Sequence, residues 1–420
     1  MRVCLVRPKT SFLLDPAVFP PLGLFYIAAA IEDRHEVLFW DACLDGDEVP
    51  HGYDVYGITV NITEVPWVRR FLVEHKPQNP QARYVLGGPY VSTAKDIKIN
   101  GYDLLVFGEG ERAFREYLDS GAIFNPADGA LLIPTYPIDE IAFPARRTCH
   151  VERYTYYLSR ESGGYIRAHG DIPVGARRAT SLITTRGCPF RCSFCSRTPW
   201  DIQTKFRSVE NILAEIDEIV GLGYTGLMIY DDTFTLQRQR VLDFCKRLEQ
   251  YDLLWKCFIR ADRIDSQLAM AMSKAGCVEV SIGIESGSQQ ILDGVGKRTT
   301  VVQNTMACKA CKDAGISVRA FLILGLPGET HETVAETRAW LDDNRPDSIG
   351  LGPLIPYPGS RIWEHPEQFD IQIDLPEDEE EWHYRGEPGH YNVYVSTSGL
   401  TSDEIAEYIY QIEKDYGIAE

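Results

Sequence analysis

Three cysteines in one short loop, Cys188, Cys192 and Cys195, are the residues of this chain whose spacing most directly indicates chemistry. They stand as C-x3-C-x2-C, and three thiolates at that spacing can wrap one face of a cubane cluster. Protein [4Fe–4S] clusters usually take four cysteine ligands, yet no fourth cysteine follows at a comparable spacing. The loop therefore predicts an iron–sulfur cluster with one iron left open to a ligand that is not protein.

A zinc site and a structural core are the two competing interpretations of this loop. Structural zinc sites take four nitrogen or sulfur ligands, usually as two paired clusters, and Cys149 and His150 do not stand at such a spacing. Arginines around the loop, at 186, 191 and 197, indicate a polar segment rather than a core. The open cluster is therefore the favoured interpretation. The other cysteines that we interpret as core residues are Cys4, Cys43, Cys245, Cys257, Cys277, Cys308 and Cys311.

Length and composition set broad limits on function. The chain has 420 residues, enough for two or three domains, and a formal net charge of −19, which argues against a nucleic-acid partner. No apolar run reaches the roughly 18 residues of a membrane span, and the N-terminus is predicted to be a strand rather than a signal peptide. Eleven cysteines without a secretion signal indicate a reducing, cytoplasmic compartment.

The first 140 residues alternate short apolar strands with helices, which predicts a doubly wound, Rossmann-like parallel sheet. Ligands of such sheets bind beyond the carboxyl ends of the strands. Gly87-Gly88 and the pair Gly108 and Gly110 fall at those ends, where a backbone must approach a ligand closely. The predicted strands are 2–8, 35–42, 53–60, 83–86 and 103–107, and the predicted helices are near 21–32, 64–75 and 111–119.

A second alternation begins at the cysteine loop and predicts a partial (β/α)6 barrel, because six strand–helix units are too few for eight. Polar or glycine-rich residues follow most of these strands, and that end of a barrel is its active face. The predicted strands are 181–186, 225–231, 254–260, 278–284, 317–324 and 347–355, and the helices are 208–222, 237–251, 266–275, 300–314 and 331–344.

The resulting domain prediction has four parts. Residues 1–140 form the first domain, 141–179 a linker, 180–360 the barrel, and 361–420 a small α+β C-terminal domain with a helix at 402–415.

A cysteine loop of this spacing after the first strand of a partial barrel resembles the radical S-adenosylmethionine (SAM) family over about residues 180–360. The resemblance implies that the three cysteines bind [4Fe–4S] and that SAM chelates the open iron. Asp231 and Asp232 would meet the SAM amino group, although many members carry Gly-Gly-Glu there. The other SAM contacts that the resemblance implies are Phe194, Arg260, Glu285, Ser286, Gly325, Glu329 and Pro356.

The N-terminal domain is similar to the cobalamin-binding domain that precedes the barrel in class B radical SAM enzymes, and the Phe-Pro-Ala-Arg linker at 143–146 is typical of them. The alternative is a Rossmann-like domain without a ligand. A D-x-H-x-x-G motif is absent: residues 41–46 carry Cys43 in the histidine position and follow the second strand, so we interpret them as a chance match and expect no histidine below cobalt. The implied cobalamin contacts are Thr59, Asn61, Gly87, Gly88, Gly108, Glu109 and Gly110.

The resemblance implies a cobalamin-dependent radical SAM methyltransferase. It would use two SAM molecules and an external electron donor of flavodoxin or ferredoxin type to methylate an unactivated carbon, with a peptide or protein side chain favoured over a small molecule. No catalytic side chain is assigned. The alternatives are a radical enzyme of the same architecture that rearranges or cyclises its substrate, and a non-enzymatic iron–sulfur redox sensor. A methylthiotransferase is disfavoured because no second N-terminal cysteine triplet is present.

Overall fold

The structure is a computed structural model that describes residues 1–10, 15–94, 96–120, 137–160, 164–167, 172–197, 203–376, 386–387 and 389–418. It contains two compact units, Met1–Tyr154 and Thr155–Leu375, the second of which includes the C-terminal residues 389–418. Within the described ranges, no helix has the length and apolar character needed to cross a membrane.

The first unit is a five-stranded parallel sheet in the order β2-β1-β3-β4-β5. Helix α2 packs on one face and helices α1 and α4 on the other, which confirms the doubly wound prediction. The strand order reverses between β1 and β3, and ligands of open sheets bind at such a switch point. The elements are β1 (Arg2–Arg7), α1 (Leu22–Ile31), β2 (Glu36–Asp41), β3 (Val55–Thr59), α2 (Val65–His75), β4 (Arg83–Gly87), α3 (Pro89–Thr93), β5 (Leu104–Leu105) and α4 (Gly110–Ser120).

The second unit is an eight-stranded sheet in the order β15-β14-β13-β12-β11-β8-β6-β7. Six of these strands, β8, β11, β12, β13, β14 and β15, are parallel and form the predicted partial barrel. Its strands are β6 (Tyr156–Ser159), β7 (Gly164–Arg167), β8 (Arg177–Leu182), β9 (Thr185–Arg186), β10 (Lys205–Phe206), β11 (Gly226–Ile229), β12 (Leu254–Ile259), β13 (Cys277–Glu285), β14 (Ser317–Leu324) and β15 (Ser348–Pro353). Its helices are α5 (Val209–Gly221), α6 (Arg238–Leu248), α7 (Ser266–Lys274), α8 (Gln289–Gly294), α9 (Val301–Asp313) and α10 (His331–Asn344).

Two details differ from the sequence prediction. The first barrel strand lies at Arg177–Leu182 rather than 181–186, and Thr185–Arg186 pairs antiparallel with β10 instead. The antiparallel hairpin β6–β7, which extends the sheet beyond β8, falls in the segment predicted to be a linker.

Strand β14 shows that the barrel has an open inner face. Its residues alternate between half-buried and fully buried along the whole strand. The fully buried set faces the surrounding helices, and the half-buried set, Ser317, Arg319, Phe321 and Ile323, faces the barrel interior. Since side chains of a strand point alternately to its two faces, the inner side of β14 is the partly exposed one.

The C-terminal residues pack on the barrel. Helix α12 occupies the predicted range and has buried isoleucines at 405, 409 and 412, and Thr401 and Glu404 form its capping box. These elements are α11 (Arg361–Glu364), β16 (Gln372–Ile373), β17 (Gly386–Glu387), β18 (His390–Tyr391), β19 (Val395–Ser396) and α12 (Ser402–Asp415).

Candidate functional site

The cysteine loop is held in place by backbone hydrogen bonds from distant segments. The Ser193 amide donates to the Val295 carbonyl at 2.9 Å, and the Ile362 amide donates to the Ser193 carbonyl at 3.1 Å. Cys188 and Cys192 are buried and Cys195 is half-buried. The segments after α8 and at the start of α11 therefore fix a loop that has no regular secondary structure of its own.

Arg260, at the carboxyl end of β12, pins this loop through its side chain. Its Nη1 donates to Cys192 Sγ at 3.8 Å, and its guanidinium carbon lies 3.5 Å from the centre of the Phe190 ring. Its other nitrogens donate to the Lys297 carbonyl at 2.8 Å and to Asp262 Oδ1 at 3.0 Å. All three guanidinium nitrogens of Arg260 are thus engaged in hydrogen bonds within the protein. The contact with SAM that the resemblance implies for this residue stays a prediction.

A second cation, Arg197, lies on the same loop. Burial raises the pKa of the Cys195 thiol, and the neighbouring Arg197 guanidinium opposes that rise. Arg197 also donates to the Cys188 carbonyl. Two guanidinium groups beside three cysteines favour thiolates, which are the form of cysteine that binds iron.

This donor set fits a [4Fe–4S] cluster. In the part of the chain that the structure describes, no three His, Cys, Asp or Glu side chains converge on one point as ligands of a single metal ion. A cubane does not require that convergence, because each of its cysteines binds a different iron. Three cysteines in a cation-lined loop therefore fit a cluster better than they fit zinc.

The two neighbouring carboxylates after β11 have different environments. Asp231 is fully buried, and its Oδ1 accepts hydrogen bonds from the amides of Thr184 at 2.6 Å and Thr185 at 2.9 Å. Burial raises the pKa of Asp231, and the hydrogen bonds from Thr184 oppose that shift. Asp232 is exposed and close enough to raise the pKa of Cys195 by its charge. Asp231 therefore braces the start of the cysteine loop, and Asp232 is the carboxylate that faces it.

Glu285, at the end of β13, combines backbone strain with a buried ion pair. Its φ of +63° lies in the left-handed region that residues other than glycine rarely adopt. Its carboxylate accepts a hydrogen bond from Lys297 Nζ at 2.5 Å, and both side chains are almost entirely buried. Sequence reasoning missed Lys297, because no pattern marks it beyond its position after Gly296. Ser286 lies in the turn that follows β13, and its hydroxyl oxygen is 3.1 Å from the hydroxyl oxygen of Thr337.

The turn at 325–329 is stabilised by a hydrogen bond between its first and last residues. Glu329 is fully buried and its carboxylate accepts a hydrogen bond from the Gly325 amide, while burial raises its pKa to about 8. Gly325 has φ +83°, and a Cβ there would lie 2.8 Å from Val395, so the C-terminal segment covers this turn. Pro356 is buried and Phe194 half-buried. The structure places Glu329 in its own turn, and its implied contact with SAM stays a prediction.

The predicted cobalamin residues lie along one edge of the first unit, at the carboxyl ends of β3, β4 and β5. Gly88 has φ +96°, and a Cβ there would lie 2.7 Å from Thr59 Oγ1 and 2.9 Å from the Val60 amide nitrogen. Gly108, with φ +69°, donates its amide to Ser92 Oγ at 2.9 Å. We call this edge the cradle. Gly88 is required there by its close packing on the end of β3, and the contacts with cobalamin that the resemblance implies stay a prediction.

A buried polar network beside this edge was missed from the sequence. Asp41 is fully buried and accepts hydrogen bonds from Arg7 at 2.8 Å and from the Tyr154 hydroxyl at 2.5 Å. The Cys43 amide donates to the other carboxylate oxygen at 2.9 Å. These hydrogen bonds give Asp41 and Cys43 a role in holding the fold together. That role is consistent with interpreting residues 41–46 as a chance match to the histidine motif. Glu64, whose pKa burial raises to about 7, also lies near Arg7.

Three histidines of this unit lie away from the cradle. His35 precedes β2, and His51 precedes β3 and stacks on His75 with ring centres 4.6 Å apart. His75 ends α2 and is held by the Tyr84 hydroxyl at 2.8 Å. The amino ends of the strands therefore carry these three side chains. His150 is exposed and pairs with Glu152.

Comparisons with known proteins agree with this arrangement. A radical SAM superfamily model matches residues 182–341, and a B12-binding domain model matches residues 16–118. An uncharacterized methyltransferase of Pyrococcus horikoshii, PH0819, is 29% identical over 87% of this chain and 83% of its own length. The anaerobic magnesium-protoporphyrin IX monomethyl ester cyclase of Rubrivivax gelatinosus is 29% identical over 82% of this chain and 66% of its own length.

A solved structure shows the same fold. The radical SAM methyltransferase TsrM from Kitasatospora setae, with cobalamin and a [4Fe–4S] cluster bound, matches with a TM-score of 0.73. The match covers 100% of this chain and 89% of that one, at 18% sequence identity.

Proposed function

This chain belongs to the cobalamin-dependent radical SAM methyltransferase family, and from that premise we propose that it methylates an unactivated carbon of its substrate with two molecules of SAM. A [4Fe–4S] cluster, SAM and cobalamin are its cofactors. The observation that carries the proposal is the presence of both sites on one chain: a cation-lined loop of three cysteines, and a doubly wound sheet whose strand order reverses beside the cradle. When bound, the cluster supplies the electron that cleaves SAM and cobalamin supplies the methyl group.

The residues of the barrel would act by holding and orienting the cofactors. Cys188, Cys192 and Cys195 would bind the cluster. Asp232 is exposed, its negative charge acts on the Cys195 thiol, and a carboxylate can pair with an ammonium group, which supports a contact with the SAM amino group. Glu285 is the one predicted ribose or carboxylate contact held in a strained backbone, and such strain clusters at ligand sites.

Product analysis distinguishes methylation from the alternative radical chemistry. We expect anaerobic protein, supplied with cobalamin, SAM, reductant and a methyl acceptor, to form S-adenosylhomocysteine and 5′-deoxyadenosine together. The similarity to a cyclase over 82% of this chain keeps rearrangement or cyclisation as the second candidate. That reaction predicts 5′-deoxyadenosine alone. SAM cleavage without S-adenosylhomocysteine, on an acceptor that is chemically altered, would contradict the methyltransferase proposal.

We also propose that cobalamin binds here base-off, with no protein histidine below cobalt. Its support is that His35, His51 and His75 lie at the amino ends of the strands, opposite the cradle. The electron paramagnetic resonance spectrum of the cob(II)alamin holoprotein is expected to lack splitting from a coordinated nitrogen. Nitrogen splitting that disappears when any one histidine is replaced by alanine, His150 for example, would overturn this proposal.

The substrate class and the electron donor are further parts of the proposal. A peptide or protein side chain remains the favoured substrate, and an external flavodoxin- or ferredoxin-type protein the favoured electron donor. The side chains on the inner face of the barrel indicate the charge of the substrate, as the next subsection describes.

A further inference from the structure

On the inner face of the barrel, the side chains of β14 are larger than those beside them on the two neighbouring strands. In one row across the sheet, Phe258 lies beside Ser281, Ser281 beside Arg319, and Arg319 beside Ser348. In the next row, Phe321 lies between two glycines, Gly283 and Gly350. The large side chains of β14 therefore stand between strands that carry only serine or glycine at the same level. The Phe321 ring lies against Gly350, where a Cβ would come within 2.6 Å of it and within 3.5 Å of Arg319 Nε.

Three aromatic rings form a wall on the same face. Tyr230 and Phe258 have ring centres 5.9 Å apart, and Phe258 and Phe321 have ring centres 6.1 Å apart. Tyr230 is 36% exposed although it follows a fully buried strand, and the other two rings are half-buried. Rings that remain accessible inside a barrel offer a surface on which a flat or apolar group can stack.

Arg319 differs from the other described cations of this inner face. Lys256 pairs with Glu279 at 2.6 Å, and Arg260 and Lys297 have the carboxylate partners already described. Arg319 has no hydrogen bond or ion pair among the described residues, and its Nε is buried without a partner. Its guanidinium carbon lies 5.4 Å from the centre of the Phe321 ring. Half-burying a charge without a partner costs free energy, which a ligand of opposite charge would offset.

We propose that Arg319 and the aromatic wall form a substrate subsite for an oxyanion, a carboxylate or a phosphate, next to a flat or apolar part of the same substrate. A guanidinium presents paired donors that match both oxyanions. A local cation is also needed because a chain of net charge −19 repels anions overall. This inference rests on the proposed function, whose substrate it narrows to an anionic molecule or side chain.

Fragment binding to the holoenzyme tests the subsite without knowledge of the substrate. The probes are benzoate and phenyl phosphate, with benzyl alcohol as the neutral control, and saturation-transfer NMR measures their dissociation constants. We expect wild-type protein to bind at least one anionic probe more tightly than benzyl alcohol. Arg319→Gln should weaken that binding at least tenfold and leave benzyl alcohol unchanged. A larger loss for phenyl phosphate assigns a phosphate, and a larger loss for benzoate assigns a carboxylate.

Further variants keep the result interpretable. Arg238→Gln removes an exposed arginine of α6 and should leave all three probes unaffected. Arg319→Lys keeps the charge but loses the paired donors, so it should weaken the anionic probes several-fold, and it replaces Arg319→Gln if that variant does not fold. Equal affinity of the Arg319 variants and wild type for the anions, or no anion binding by wild type, would overturn the subsite. Because the assay needs no turnover, its outcome is independent of whether methyl transfer occurs.

Discussion

Replacing any one of Cys188, Cys192 and Cys195 by alanine is expected to abolish cluster assembly and SAM cleavage while cobalamin binding survives. With three cysteines in the loop, each substitution leaves two ligands for a cluster that needs three from the protein. The cobalamin cradle belongs to the other compact unit, so its backbone geometry does not depend on these thiols. Iron and sulfide content, 5′-deoxyadenosine formation and bound cobalamin are the three measurements.

The chain supplies a matched control for this prediction. Cys308, in α9, is 1% exposed, and burial raises the pKa of its thiol to about 12. A thiol that stays protonated in an apolar setting packs as a small hydrophobic group. Cys308→Ala should therefore keep full iron content and SAM cleavage, at a cost of about 1 kcal/mol in stability. A loop variant that still cleaves SAM would refute the cluster assignment.

The order of strands and helices could be predicted from sequence because it depends on local hydrophobic patterns. Strand β14, helix α10 and helix α12 were predicted to the residue, and each combines a clear pattern with strong end signals. The first barrel strand was misplaced because its start carries two arginines, while the apolar run lies later. Its register is fixed by a tertiary contact: Ala179 lies opposite Gly226, where a Cβ would come within 2.7 Å of it.

The separate roles of Asp231 and Asp232 show what sequence reasoning could have found. Because side chains alternate along a strand, Asp231 continues the outward-facing set of Leu227 and Ile229, and Asp232 continues the inward-facing set of Met228 and Tyr230. Alternation alone would have assigned only Asp232 to the inside of the barrel. The partner of Asp231 could not be predicted in this way, because Thr184 is 47 positions away in sequence.

The role of Arg260 depends equally on contacts that sequence cannot supply. The family resemblance assigns it to SAM, whereas its hydrogen bonds join the cysteine loop, the segment after α8 and the end of its own strand. One arginine thus connects the cluster loop to the Lys297 segment, whose side chain pairs with Glu285. A change at Arg260 is expected to affect the cluster before SAM is added.

Arg260→Gln is expected to make the reduction potential of the SAM-free cluster more negative, by an amount on the order of 50 mV. The substitution removes a positive charge and a hydrogen bond to a ligand sulfur, and both stabilise the reduced cluster more than the oxidised one. A charge-assisted hydrogen bond contributes about 1.5 kcal/mol or more, and about 59 mV corresponds to a tenfold change for one electron. Redox titration followed by electron paramagnetic resonance measures the shift.

Two further variants separate this role from a general loss of structure. Arg263 lies over the same Phe190 ring at 5.4 Å but is far more exposed than Arg260, so Arg263→Gln should leave the potential nearly unchanged. Arg260→Lys keeps the charge but not the planar fork, so its potential should fall between those of wild type and Arg260→Gln. If Arg260 instead binds the SAM carboxylate, Arg260→Gln will weaken SAM binding and leave the SAM-free potential where it was. That outcome would restore the contact implied by the family resemblance.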